Sequence, residues 1–192
     1  MSIMENYPPQ VIQCNMNLLG THDTPRILTA LVDDFDGSRE EKARRRLSRN
    51  QFDVARERLF AASFLQYTLP GSPSLYYGDE AGMEGHKDPF NRRPYPWYRE
   101  DPQLLRHFRC LGKLRKEQDA LRLGDTYFFR NWNGKLGFSR SLNGCHVRVY
   151  LNRSDTDWEI PGGKLLYGHN LNTVAPGYLN VSPMGFCVTV EE

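Results

Sequence analysis

In Asn17-Leu18-Leu19-Gly20-Thr21-His22-Asp23-Thr24-Pro25-Arg26, an apolar run closed by glycine leads straight into an imidazole, a carboxylate and, three residues on, a guanidinium. Buried strands of α/β folds deliver their chemistry in this way, apolar along the strand and polar just past its C-terminal end. Met16, Leu18 and Leu19 are of a type to bury, whereas Thr21 to Arg26 cannot all bury unpaired, because an isolated charge in low dielectric is costly. The competing local reading is a strand followed by a helix cap, with Asp23 or Thr24 supplying the capping oxygen.

The elements that must position this cluster follow from periodicity and punctuation. Residues 1–10 read as a lead-in loop and 11–19 as a strand. Residues 27–31 read as a short apolar helical or loop segment. Asp33, Asp34, Asp36 and Gly37 read as an exposed loop, since they lack the spacing and terminal Glu of a calcium-binding EF-hand. Ser38 with Glu41 is a capping box. Phe52, Ala55, Leu59, Ala62 and Leu65 recur at helical spacing, which predicts one long amphipathic helix or two joined ones ending at Pro70-Gly71. Residues 74–78 are short and β-prone. Residues 79–97 form a long aperiodic loop stiffened by Pro89, Pro94 and Pro96, and loops of that length in compact domains are usually functional. Asp101-Pro102 starts a further helix with Leu104, Phe108, Leu111 and Leu114 on one face.

Beyond Gly124 the texture turns all-β. Strands are expected near 126–131, 135–141, 145–151, 156–160, 164–168 and 185–191, with Asn133-Gly134 and Asn143-Gly144 as hairpin turns. The fold class is therefore α/β followed by all-β, divided into residues 1–123 and 124–192. Two strands separated by a long helical crossover imply a parallel pair. Two such units cannot close a sheet, so the chain reads as the end of something larger.

Composition narrows the function. The 192 residues are 39% hydrophobic and 25% charged with a formal net charge of +2, which fits a globular protein and gives no field suited to nucleic acid. The cluster Arg44-Arg45-Arg46 lies among acids at helical spacing and reads as a solvated face. No apolar run is long enough to span a bilayer. The four cysteines are scattered, with no CxxC pair. They read as free, mostly buried thiols, with no metal site and no cofactor expected, and they favour the cytoplasm while leaving the compartment otherwise open.

Taken together, residues 17–26 resemble the seventh-strand motif of the α-amylase family of glycoside hydrolases (family 13). Leu69-Pro70-Gly71-Ser72-Pro73-Ser74-Leu75-Tyr76-Tyr77-Gly78-Asp79-Glu80-Ala81-Gly82-Met83-Glu84-Gly85 is similar to its eighth strand and following loop. Asp88-Pro89-Phe90-Asn91-Arg92-Arg93-Pro94 resembles the version in neopullulanases, cyclomaltodextrinases and maltogenic amylases, and residues 114–121 resemble the last barrel helix. The resemblance implies the last two βα units of a (β/α)8 TIM barrel plus an antiparallel C-terminal β-sandwich, from a retaining hydrolase of α-1,4-linked glucans. It implies Asp23 as the transition-state-stabilising acid, His22 as a ligand of the same sugar, and Asp88 with Arg92 as binders of the neighbouring sugar. Retaining hydrolysis needs two carboxyl groups about 5–5.5 Å apart. The family's nucleophile and acid/base lie after its fourth and fifth strands, so this chain alone is expected to be inactive.

Arg26 reads as local scaffolding, and Tyr95, Trp97 and Tyr98 as loop packing ahead of sugar stacking. The expected partners are an α-glucan or maltooligosaccharide and, through exposed barrel edges, further copies of the chain. Nucleic acid and membrane are not expected. The alternative function is a non-catalytic carbohydrate-binding or structural module.

Overall fold

The computed structural model describes residues 5–191; the first residues of the expected lead-in loop, 1–4, lie outside them. In chain order the elements are α1 (Pro9–Cys14), β1 (Met16–Leu18), α2 (Ile27–Ala30), α3 (Arg39–Arg44), α4 (Arg49–Thr68), β2 (Ser72–Ser74), α5 (Pro102–Glu117), α6 (Asp119–Leu123), β3 (Asp125–Trp132), β4 (Lys135–Leu142), β5 (Cys145–Asn152), β6 (Trp158–Pro161), β7 (Lys164–Ala175) and β8 (Tyr178–Val190). The fold is α/β followed by an antiparallel β unit. Contacts group the described residues into two compact units, one of residues 16–66 and 73–109, the other of residues 5–15, 67–72 and 110–191.

In the first unit β1 and β2 form a two-stranded sheet. Gln66 supports both strands, its Nε2 donating to the carbonyls of Asn17 (2.7 Å) and Ser74 (2.9 Å). The strand expected over 11–19 is shorter than its apolar content suggested. Proline preset for a first helical turn starts α1 at Pro9, with the amides of Val11 and Ile12 bonded to the Pro8 carbonyl. Met16 and Leu18 do not bury; they are 65% and 51% exposed. Among the described residues β1 pairs with β2 alone, so its side chains lack a second layer.

The long helical stretch divides in two. α3 carries the expected capping box, Ser38 Oγ accepting from the Glu41 amide and Glu41 accepting from the Ser38 amide. The buried hydrophobic residues of α4 are Ala55, Leu59, Phe60, Ala61 and Phe64, not Ala62 and Leu65, which stay half-buried. Its second half is covered on more than one side, so a single stripe does not describe it. Ser63 Oγ meets His107 Nε2 of α5 at 2.8 Å, and Asp101 caps α5 through the amides of Gln103 and Leu104.

In the second unit the six strands form one antiparallel sheet ordered β3-β4-β5-β8-β6, with β7 also on β8, curled into a half-barrel. Asn133-Gly134 and Asn143-Gly144 take the positive φ values that two-residue hairpins demand, 53° and 71°, then 50° and 82°. β7 and β8 run much further than the expected 164–168 and 185–191, because Pro176-Gly177 turns them into one long hairpin. Phe138, Val147, Val149, Tyr150, Ile160, Val181 and Phe186 fill the core.

Two guanidiniums hold the exit from α4. Arg140 is 1% exposed and donates to the carbonyls of Thr68 (2.9 Å) and Gly124 (2.9 Å). Arg115 donates to those of Tyr67 (2.7 Å) and Gly71. The last carbonyls of a helix have no partner within it and carry its negative dipole end, so cations belong there. Burial, with Arg115 adding to it, lowers the Arg140 pKa to about 10.

The cysteines are all free, but Cys14 and Cys145 are exposed and only Cys187 is buried. The first two sit at element ends, where side chains escape the core. Burial pushes the Cys187 thiol up to about 12.

Replacing Arg140 by Met is expected to lower unfolding free energy by about 2 kcal/mol, since the Thr68 and Gly124 carbonyls lose their buried donor. Arg140→Lys should lose less. Urea denaturation of the three proteins checks the order.

Candidate functional site

The loop after β1 and the loop between β2 and α5 meet in the first unit, and two buried side chains fasten them together. Arg26, at the start of α2, is 1% exposed. Its guanidinium donates to the Tyr77 carbonyl, pairs with Asp79 Oδ1 at 3.2 Å, and lies 4.3 and 4.5 Å from the ring centroids of Tyr76 and Tyr77. Its amide donates to Gly85 O at 2.8 Å. The scaffolding role read from the sequence is thus carried by a buried ion pair. Asn91, fully buried, is the second fastener; its Nδ2 donates to the carbonyls of His22 (2.7 Å) and Thr24 (2.8 Å).

These fasteners bring the candidate side chains together. Arg92 spans the site, with Nη2 3.5 Å from Asp23 Oδ1, Nε 3.1 Å from Asp88 Oδ1, and Nε also donating to the His22 carbonyl at 3.1 Å. His22 Nε2 lies 3.2 Å from Asp23 Oδ2. Both Asp23 oxygens therefore have a partner while the carboxylate stays 72% exposed, with the His22 side chain 68% exposed and Asp88 57%. Chemically this is an open, polar patch of fixed donors and acceptors, suited to hydroxyl groups and to stabilising positive charge that develops beside Asp23.

A third layer holds the second loop from the other side. Glu84 accepts from the Leu47 amide at 2.7 Å, and Arg93 donates to Ala43 O at 3.1 Å. Asp33, expected on an exposed loop, is instead buried under Arg45, which contacts it through Nε (2.6 Å) and Nη2 (3.1 Å). That bidentate pair holds the Asp33 carboxyl below the usual carboxylate range. Burial lowers the pKa of His86, 3.7 Å from Asp33, against the pull of that carboxylate.

Tyr95 and Trp97 rings pack on each other at 4.6 Å, but Tyr98 is 97% exposed and packs on nothing that would bury it. Its left-handed backbone (φ 66°) turns the ring outward. Among the described residues no three His, Cys, Asp or Glu side chains are grouped to hold a metal ion, and no helix is long and apolar enough to cross a membrane. Sequence reasoning passed over Asp79 and could not place Asn91. The signal for Asp79 was available in the charge that Arg26 must bury; nothing in the residue order marks Asn91.

Burial pushes the Asp79 carboxyl up to about 6 despite Arg26 beside it. A carboxyl raised on folding stabilises the fold fully below its unfolded value, and that contribution is lost as pH rises through about 6. Stability is expected to fall by about 2–3 kcal/mol between pH 4 and 6 from this group. Asp79→Asn should remove that component, read as the difference in melting curves between the two proteins across the window. Gly20 offers a second check. A Cβ there would sit 2.4 Å from Asp79 Oδ2, so Gly20→Ala is expected to cost on the order of 1–3 kcal/mol in thermal unfolding by overpacking.

No family model matches the chain. It is 41% identical over 167 residues to an amylopullulanase of Thermoanaerobacter thermohydrosulfuricus, covering 81% of the chain and 11% of that protein. It is 34% identical over 165 residues to a cyclomaltodextrinase of Geobacillus thermopakistaniensis, covering 84% of the chain and 24% of that protein. The crystal structure of a debranching enzyme from Nostoc punctiforme superimposes with a TM-score of 0.76 at 23% identity, covering all of this chain and 38% of that one. The chain thus spans a quarter or less of the length of these curated relatives.

Proposed function

The chain is homologous to one part of the α-amylase family of glycoside hydrolases, and we propose that it supplies the closing section of an α-glucan hydrolase. In this reading residues 1–123 are the seventh and eighth strands of the catalytic barrel with their helices, and residues 124–192 are the C-terminal β domain. The relatives are α-glucan hydrolases that this chain matches only as a fragment. The nucleophile and the acid/base come from strands outside these residues.

One observation supports the assignment above the others: Arg92 lies between Asp23 and Asp88 at 3.5 and 3.1 Å, although the two acids are far apart in sequence. The roles follow from charge and geometry. Glycosidic cleavage passes through an oxocarbenium-like state. Asp23, with its oxygens held by Arg92 and His22, meets that positive charge without reorganising, which is where an electrostatic contact contributes most. His22 donates to hydroxyls of the same sugar. Asp88 and Arg92 accept from and donate to vicinal hydroxyls of its neighbour.

The same reading accounts for the apolar side chains left in solvent. Met16, Leu18, Leu75 and Tyr77, on β1 and just after β2, are 65%, 51%, 40% and 42% exposed. In a closed barrel further strands and helices cover such surfaces. In the isolated chain they favour pairing between copies.

The isolated chain is expected not to turn over maltooligosaccharides, cyclodextrin or pullulan, and to scatter light as oligomers. In an enzyme that contains this section, Asp23→Ala should lower kcat at least about 100-fold with little change in KM. Arg92→Ala should chiefly raise KM. Turnover by the isolated chain, or an Asp23→Ala enzyme with near-normal kcat, would overturn the reading.

A further inference from the structure

The β unit holds a cavity that the catalytic reading leaves unused. Its volume is ≈ 460 Å³, within the ~300–1,000 Å³ of small-molecule sites. Strands at the two ends of the path β3-β4-β5-β8-β6 both line it, because the sheet curls until β3 and β6 face each other. Its walls include Tyr127, Arg130 and Trp132 of β3, Arg148 and Tyr150 of β5, and Trp158 of β6.

The register of β3 explains why so many ring faces share one side. β3 and β4 shift register between Phe128 and Arg130. A bulge there puts an extra residue on the strand, and Phe129 and Arg130 both line the cavity. Phe129 lies over Gly137, where a Cβ would come within 2.3 Å of its ring.

The site is built and braced before any ligand arrives. Phe129 and Tyr150 meet edge-on at 5.6 Å, and Tyr150 and Trp158 do so at 5.5 Å. Lys135 Nζ donates to Asp157 O at 2.9 Å and the Arg153 amide to Gly134 O at 2.7 Å, which ties the β3–β4 turn to the loop before β6. Around this rigid wall Tyr127 is 69% and Trp132 52% exposed.

The polar groups select the ligand class. No carboxylate lines the cavity, which argues against a cation. Arg148 is already paired with Glu191, and the Arg130 guanidinium lies 3.8 Å over the Trp132 ring, so neither offers a concentrated positive charge to an anion. Flat amphipathic rings that carry indole N–H and phenol O–H groups suit the C–H face and hydroxyls of a pyranose.

We propose that this cavity is a second, non-catalytic glucan site that holds a short α-1,4-linked stretch on the rings of Tyr127, Trp132 and Trp158. The choice of an α-linked glucan rests on the function proposed above; the choice of a neutral sugar rests on the cavity alone.

Maltotriose and cellotriose are titrated into the whole chain by calorimetry, with tryptophan fluorescence as a second signal. Saturable maltotriose binding is expected, at least tenfold tighter than that of cellotriose and weakened at least tenfold in Trp132→Ala. Tyr127→Ala, a milder change at an exposed ring, should weaken it too, and circular dichroism melts confirm that both variants fold. The double variant Asp23→Ala/Arg92→Ala should retain this binding within twofold. Absence of saturable binding overturns the proposal, as does cellotriose binding of equal strength. Binding lost in the double variant but kept in Trp132→Ala and Tyr127→Ala also overturns it, and leaves the catalytic assignment standing. Normal kcat in an Asp23→Ala enzyme would overturn the catalytic assignment and leave the groove's affinity untouched.

Discussion

A guanidinium taken almost wholly out of water decides the arrangement of the first unit. Arg26 must be compensated where it sits, and the compensation comes from residues some fifty positions later: the Tyr77 carbonyl, the Asp79 carboxylate and the faces of two tyrosines. Removing one partner of a buried pair strands the other charge, typically at 3–5 kcal/mol. That penalty forces the loop after β1 and the loop after β2 into one relative position. Two of its N–H groups, Nε and Nη2, remain without a hydrogen-bond partner, so the tyrosine rings are the chief neighbours of that part of the cation. The exposed polar patch rests on this dry pair and on Asn91, both of which hold backbone, leaving the side chains of His22, Asp23 and Arg92 free to point outward.

The legible part of the fold was the part written in short-range chemistry. Ser38 with Glu41, Asp101 with Pro102, and the two Asn-Gly turns each settle a local backbone geometry, and each appears where the residues place it. The buried face of α4 was harder. Ala62 and Leu65 have the right spacing, yet Phe60, Ala61 and Phe64 take the core, because burial on several sides is a property of neighbours and not of the helix. The length of β7 and β8 was hidden for a similar reason. Residues 169–184 alternate only in short broken runs around Pro176-Gly177 and Pro183, and their mutual pairing makes them strand.

The candidate site divides along the same line. His22 and Asp23 stand out because they end an apolar run, and Asp88 and Arg92 were found through resemblance to a family, not through spacing. What no local pattern carries is the convergence itself. Arg92 reaches Asp23 because Asn91, one residue before it, is pinned to the carbonyls on either side of Asp23. A side-chain amide bonded to two backbone oxygens leaves no periodicity and no charge signature. Such residues become visible only when the two loops are seen together.

The sheet order of the β unit bears on how a ribosome must deliver it. β8 is the last strand to be synthesised, yet β5, β6 and β7 all hydrogen-bond to it. The meander β3-β4-β5 can assemble as it emerges, through contacts close in sequence. β6 and β7 have no sheet partner until the final strand clears the exit tunnel. For that interval two nascent strands with open edges wait near one another, which is the setting in which chaperones engage translating chains. The order of birth within the β unit, and not the depth of its finished core, therefore sets the period of greatest exposure for these six strands.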